Sequence, residues 1–206
     1  MELKEFDKAF LSNSVKVLAG VDEAGRGPLA GPVVAAAVIF NNNRIIPRIN
    51  DSKKLTEKVR EELYKIIIKE AASYGIGIVH EKEIDKINIL QATLKAMQLA
   101  VAELKVIPDL ILIDGNKAFN SKITTKTIVK GDSKSFSIAS ASILAKVTRD
   151  RIMITESKKH PEYLWHKNKG YGTREHIKAI KEFGITKLHR KSFLNRILEH
   201  QEELGI

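Results

Sequence analysis

Two short runs rich in Val, Ile and Ala, residues 15–21 and 32–40, constrain what this chain can fold into more than any other feature. They are bounded by Gly and Pro and show no alternation of apolar and polar positions. They therefore read as neighbouring strands buried largely on both faces. Between them lies Val21-Asp22-Glu23-Ala24-Gly25-Arg26-Gly27-Pro28, which hangs two adjacent acids at a strand end beside a glycine-flanked arginine. An ordinary turn can use Asp22 as a cap, but it needs neither a second acid nor glycines on both sides of a cation. A site is the preferred reading, because functional groups sit on loops held by rigid elements.

The rest of the chain continues the alternation. Residues 1–13 read as a helical turn packed by Phe6 and Phe10. Residues 56–68 repeat apolar side chains at helical spacing behind Thr56, a natural N-cap, and residues 75–80 return as a strand. Residues 88–104 form a second amphipathic helix with Leu90, Leu94, Met97 and Val101 on one stripe. Residues 110–113 are a short buried strand that ends in Asp114-Gly115-Asn116-Lys117, and a strand over 124–130 runs into Gly131-Asp132-Ser133-Lys134. A long helix over about 136–158 starts with small residues, as suits close packing on a sheet, and shorter helices follow at 175–183 and 192–204. Strands alternating with helices predict an α/β layer fold around one sheet. At 206 residues the expectation is one domain over 1–206, with a core at about 14–160 and a basic helical part at about 161–206.

Charge narrows the partners. The formal net charge is +10, and residues 149–196 hold 13 Lys and Arg against 5 Asp and Glu, a surplus of 8 that carries most of it. Clustered cations of this kind bind polyanions through counterion release, although an ordinary solvated basic face is the competing explanation. No apolar run reaches bilayer-spanning length, and the N-terminal residues lack the apolar core of a signal peptide, so a soluble, cytoplasmic, monomeric protein is expected. With no cysteine, any bound metal must use oxygen or imidazole ligands.

Three expected strand ends present acids accompanied by glycine: Asp22 with Glu23, Asp114, and Asp132. Acids grouped in this way repel one another unless a cation neutralises them, and the fitting cations are Mg²⁺ or Mn²⁺, which prefer oxygen ligands. A pair of such ions supports phosphodiester hydrolysis. Asp150 is a rival fourth acid; its place between Arg149 and Arg151 favours an ion pair instead. His160 and His166 read as surface or capping residues rather than metal ligands.

The run from Val21 to Val33 resembles the signature of the bacterial ribonuclease HII family, the type 2 ribonucleases H. Further similar motifs follow in order: Asp51-Ser52-Lys53-Lys54-Leu55, Ile113-Asp114-Gly115-Asn116, Lys130-Gly131-Asp132, Ser137-Ile138-Ala139, Ala145-Lys146-Val147-Thr148-Arg149-Asp150, Lys169-Gly170-Tyr171-Gly172-Thr173 and His189-Arg190-Lys191-Ser192-Phe193. Ser140 stands where alanine is more usual, a small-for-small change. The resemblance implies an α/β ribonuclease H-like fold, with a mixed central sheet flanked by helices and a helical C-terminal extension. It implies endonucleolytic cleavage of RNA in RNA/DNA hybrids and 5′ to single ribonucleotides embedded in duplex DNA, by a two-metal mechanism that leaves 3′-hydroxyl and 5′-phosphate ends. By motif, the catalytic and metal-binding carboxylates fall on Asp22, Glu23, Asp114 and Asp132, which decides for Asp132 over Asp150. Gly25, Arg26 and Gly27 match the family's reader of the ribose 2′-hydroxyl, and Tyr171 matches its tyrosine at the RNA–DNA junction; a half-buried core aromatic is the competing reading of Tyr171. Lys53, Lys54, Lys146, Lys167, Lys169, Arg190 and Lys191 are candidate phosphate contacts. The tail Gln201-Glu202-Glu203-Leu204-Gly205-Ile206 faintly resembles a peptide that binds a sliding clamp. Two other functions compete: a catalytically silent hybrid-binding module, and a structure-specific DNA nuclease of the same fold.

Overall fold

The computed structural model describes residues 3–41 and 44–195. Five strands form one mixed sheet: β1 (Leu18–Ala24), β2 (Val33–Ile39), β3 (Ser73–Val79), β4 (Leu110–Asp114) and β5 (Thr124–Ile128). Their spatial order is β3-β2-β1-β4-β5. β1 runs antiparallel to β2 and parallel to β4, and β4 runs parallel to β5. The central strands are buried on both faces, as their unbroken apolar sequence requires.

Alternation along β2 sorts its side chains between two cores. Val33, Ala35, Ala37 and Ile39 pack toward α3 (Glu81–Ala102). Ala36, Val38 and the following Phe40 pack toward α2 (Glu57–Glu70) and α4 (Phe136–Ser157). Local chemistry fixes the helix starts. The Thr56 hydroxyl accepts from Val59 N–H, and the Ser135 hydroxyl from Ile138 N–H, so each satisfies an amide that the first turn leaves free. The N-terminal helix α1 (Leu3–Lys8) reinforces the second cap. Asp7 Oδ2, buried, accepts from both the amide and the hydroxyl of Ser137 at 2.9 and 2.7 Å, and Lys4 lies 5.0 Å from the Phe136 ring centre.

Three expectations shift. β1 starts at Leu18 rather than residue 15, because the amides of Lys16 and Val17 are taken by the Asp109 carboxylate instead of the sheet. It also continues through Ala24, so Asp22 and Glu23 belong to the strand itself, paired with Ala36 and Ala35, and not to a turn. α3 starts at Glu81, seven residues before the expected start. Asn88 nevertheless acts as an internal cap at φ 66°, where its side-chain oxygen accepts from Leu90 and Gln91 N–H. Beyond it the buried face is Ala92, Ala96, Met97 and Ala100, while Leu94 and Val101 pack only partly. Of the C-terminal helix expected at 192–204, residues 191–195 are described and helical; the rest of it and the 201–206 peptide lie outside the described residues.

Small residues let α4 lie flat across the sheet. Ala139, Ser140, Ala141, Ser142 and Ala145 are all buried. Gly20 of β1 sits beneath its first turn, where a Cβ would come within 2.2 Å of the Ser137 carbonyl carbon and 2.4 Å of Ile138 N. Because those contacts are backbone, the helix itself must move to admit a methyl group. Gly20→Ala is expected to destabilise the fold by about 3 kcal/mol, read from urea unfolding.

Candidate active site

The acids meet because of strand direction and register. β1 and β4 are parallel, with Val21 opposite Ile113 as their last paired residues, so Asp22 and Asp114 lie one step beyond, side by side at the carboxyl end of the sheet. Leu112 and Gly20 point toward α4, so period-two alternation sends Asp114 and Asp22 the same way. The parallel strand β5 then delivers Asp132 in the short 3₁₀ turn Gly131–Ser133 at the same end. That turn is tied down by Gly131 N–H, which donates to Asp114 Oδ1 at 2.6 Å. The carboxyl ends of parallel strands are where open α/β sheets bind ligands.

Asp22 is buried, and its carboxyl is raised well above the ordinary range by burial first and then by Glu23 and Asp114. Glu23 and Asp114 are raised as well, mainly by burial, with Asp114 acting on Glu23 and Asp132 acting on Asp114. Two cations soften this repulsion. Arg26 Nη1 stands 3.4 Å from Glu23 Oε1, and Lys53 Nζ stands 3.3 Å from Asp132 Oδ2. Burial alone would lower the Lys53 ammonium, but the facing Asp132 carboxylate, with Asp22 and Asp51 behind it, outweighs burial and holds the group above its usual range. Among the described residues no three acids or histidines close into a ready ligand cage. The donor chemistry nevertheless fits a hard divalent cation: it is all carboxylate oxygen, and it gathers negative charge that a cation would relieve.

These groups line one cleft of about 220 Å³, together with Gly25, Arg26, Gly27, Ser52, Lys53, Ser142, Lys146, Arg149 and Tyr171. Asp132 is not part of that lining; it meets it through Lys53 and through Asp114, on which its charge and backbone act. Tyr171 is 46% exposed, which overturns the core-aromatic reading. A side chain begun at Gly27 would start 3.8 Å from Tyr171 Cε1, so the ring and the glycine turn face each other. Lys146 pairs with Asp150 at 2.8 Å, which explains the rival acid as half of an intrahelical ion pair. Lys54, Lys167 and Lys191 are exposed and Lys169 half-exposed, none of them lining the cleft.

Arg190 is a correction. It is fully buried, and its guanidinium donates to the carbonyls of Gly31, Arg26 and Gly25 at 2.9, 3.0 and 2.6 Å, so no phosphate can use it. Arg149, equally buried, donates to Pro32, Ala30 and Lys169 carbonyls, each at 2.9 Å. Burial and the neighbouring Arg149 charge bring Arg190 down to about 9, and burial lowers Arg149. The nearby buried Glu81 supplies opposing charge to both. Gly25 has φ +98°, and a Cβ there would lie 2.1 Å from Arg149 Nε. Sequence reasoning also missed Ser52 and Ser142. Ser142 supports the Asp22 carboxylate, and its hydroxyl is 2.7 Å from that of Ser52. The available signal was the i, i+4, i+7 spacing of Ser142, Lys146 and Arg149, which puts a hydroxyl and two cations on one helix face.

A mixed sheet with acids at its parallel carboxyl end, over a cleft rimmed with cations, defines an endonuclease of the ribonuclease H fold. The structure of the ribonuclease H2 from Pyrococcus horikoshii OT3 superposes with a TM-score of 0.75 at 28% identity, over 89% of this chain and 98% of that one. The family model for ribonuclease HII matches residues 19–196. A ribonuclease HII of Acetivibrio thermocellus is 54% identical over 96% of this chain and 77% of its own length. One of Rickettsia bellii is 58% identical over 86% and 89%. The chain belongs to the ribonuclease HII family, and is therefore a ribonuclease H that acts on RNA/DNA hybrids.

The raised carboxyls give a test that needs no turnover. Acids whose folded values lie above their unfolded ones stabilise the fold below the unfolded value, near pH 4, and lose that contribution as pH rises through the folded value. In metal-free buffer at pH 7, Asp22→Asn is expected to raise Tm by about 3 °C, a gain that vanishes near pH 4. Mg²⁺ is expected to raise the Tm of the unsubstituted protein and to leave Asp22→Asn nearly unmoved.

Proposed function

We propose that the cleft cuts the RNA strand of RNA/DNA hybrids, and also cuts 5′ to a single ribonucleotide embedded in duplex DNA, leaving 3′-hydroxyl and 5′-phosphate ends. The observation that carries this reading is the pairing, in one cleft, of clustered carboxylates with an exposed tyrosine set against a glycine turn. Asp22, Glu23, Asp114 and Asp132 would hold Mg²⁺ or Mn²⁺, with Asp22 standing between the charges of Glu23 and Asp114. Two such ions, when bound, activate the attacking water and stabilise the leaving oxygen of the phosphodiester.

The chain's own residues do the rest. Ser142, supported by Ser52, orients the Asp22 carboxylate and leaves its remaining lone pairs toward the cleft. Lys53 holds Asp132 in the metal-free protein and is 79% exposed along its side chain, so it is free to turn to a substrate phosphate. Gly27 lays bare backbone next to the sugar from a turn that Gly25, buried under Arg149 and Arg190, holds in place; Arg26 holds a phosphate, and the Tyr171 ring packs on the deoxyribose that follows the ribonucleotide. The 2′-hydroxyl is the feature that separates the two sugars, so this half of the cleft supplies specificity while the acids supply chemistry.

A DNA duplex carrying one ribonucleotide, incubated with Mg²⁺ or Mn²⁺ beside the all-DNA duplex, tests the reading. Cleavage is expected only 5′ to the ribonucleotide; equal cutting of both duplexes would remove the sugar-reading half. Asp22→Asn and Asp114→Asn are each expected to abolish turnover while hybrid binding stays within about threefold, since phosphate contacts carry the affinity. Wild-type rates in either variant would take that residue out of the site. Tyr171→Ala is expected to lower cleavage at the single ribonucleotide more than Tm.

A further inference from the structure

Tyr171 is the exposed ring of the cleft, and packing does little to fix it. Its position depends on its backbone, which sits in a turn between α5 (Trp165–Asn168) and α6 (Arg174–Phe183). Tyr171 N–H donates to the Asn168 carbonyl at 2.9 Å, and its carbonyl accepts from Thr173 N–H at 2.8 Å. That carbonyl also meets His176 Nδ1 at 2.9 Å, from a ring with no solvent exposure.

The partners of that ring settle its proton. The Tyr171 carbonyl can only accept, so His176 Nδ1 carries the hydrogen. Trp165 Nε1–H can only donate, and it lies 3.0 Å from His176 Nε2, so that nitrogen carries none. His189 has the opposite tautomer. Its Nδ1 accepts from Thr186 N–H at 2.9 Å, which leaves its proton on Nε2, 3.2 Å from His176 Nε2. The hydrogen bonds therefore run in one direction, from Thr186 through His189 and His176 to Tyr171. A second proton on His176 would point at two N–H donors. Burial keeps both rings neutral, and with the His176 neighbour it brings His189 down to about 4.

We propose that His176 is a positioning residue for Tyr171: its neutral imidazole, locked in one tautomer by Trp165 and His189, holds the tyrosine carbonyl and so sets where the ring meets the substrate. The anchor is rigid. Trp165 has no exposure and stacks on Tyr163 at 5.0 Å and 15° between planes. The same relay is tied to the other half of the cleft, because His189 bridges to Ala30 and the next amide, Arg190 N–H, donates to the Leu29 carbonyl. Tyr171 is therefore held in register with the glycine turn that it faces. This inference rests on the reading of Tyr171 given above.

Two measurements test it. Nitrogen-15 NMR of the imidazoles is expected to show His176 protonated at Nδ1 and His189 at Nε2; the opposite tautomers would break the relay and overturn the proposal. The kinetic arm uses the single-ribonucleotide duplex with His176→Leu, which keeps bulk without a donor, and His176→Asn, whose amide keeps a donor near the Nδ1 position. His176→Leu is expected to lose about tenfold in kcat/KM, and His176→Asn to recover most of it. In a Tyr171→Ala background, His176→Leu is expected to have no further effect. Equal losses in both His176 variants, or a full additional loss without Tyr171, would make His176 merely structural. If Tyr171→Ala itself matches the unsubstituted protein, the Tyr171 reading fails and takes this proposal with it. A loss in Tyr171→Ala beside an unaffected His176→Leu would overturn the relay alone. Should His176→Leu fail to fold, the tautomer assignment and the His176→Asn rate still decide.

Discussion

Two buried guanidinium groups hold the cleft together. Arg149 and Arg190 donate six hydrogen bonds to backbone carbonyls, five of them on residues 25–32 and the sixth on Lys169, beside the Tyr171 turn. A glycine-rich segment has many conformations to lose, and its carbonyls, once buried, cost free energy unless paired. Arginine suits the task because its planar fork presents several fixed donors and keeps its charge when desolvated. The buried Glu81 balances part of that charge from the start of α3. One arginine comes from α4 and the other from the segment after α6, so the loop is clamped from two separate parts of the chain.

The acids depend on a different constraint, the parallel pairing of β1 with β4 and of β4 with β5. Parallel strands end at the same edge, so three acids far apart in sequence gather there. Their repulsion is tolerated in the free protein because Arg26 and Lys53 stand close and because burial favours the protonated forms. The clamp and the acids share β1: the strand carries Asp22 and Glu23 in its last turn of pairing and then runs straight into the loop that the arginines hold.

Much of this was legible in sequence. The strands, the Thr56 cap and the small-residue start of α4 follow from residue type and near neighbours, and they lie close to where pattern reading places them. The boundaries that moved did so for tertiary reasons. Asp109 captures the amides before Leu18, and β2 offers partners that extend β1 through Ala24. The family motifs picked out Asp22, Glu23, Asp114, Gly25, Arg26, Gly27, Lys53, Lys146 and Tyr171, all of which line the cleft. Arg190 reads in sequence as a phosphate contact because a basic residue in a basic stretch carries no sign of its own burial. Asp132 was placed at the correct edge, but its turn toward Lys53 depends on a side chain from another part of the chain.

The sequence by itself determined an α/β layered chain with acids after its strands, a basic C-terminal third and a glycine-flanked arginine, because each is a matter of residue type within a few positions. Only the tertiary structure decided which cations line the cleft and which hold backbone, that Ser142 serves Asp22, and that two histidines stand one behind the other at the Tyr171 carbonyl. The reason is one of distance. A cap or a strand is set by neighbours along the chain, whereas the role of a guanidinium or an imidazole is set by whichever carbonyls and N–H groups the fold brings within about 3 Å.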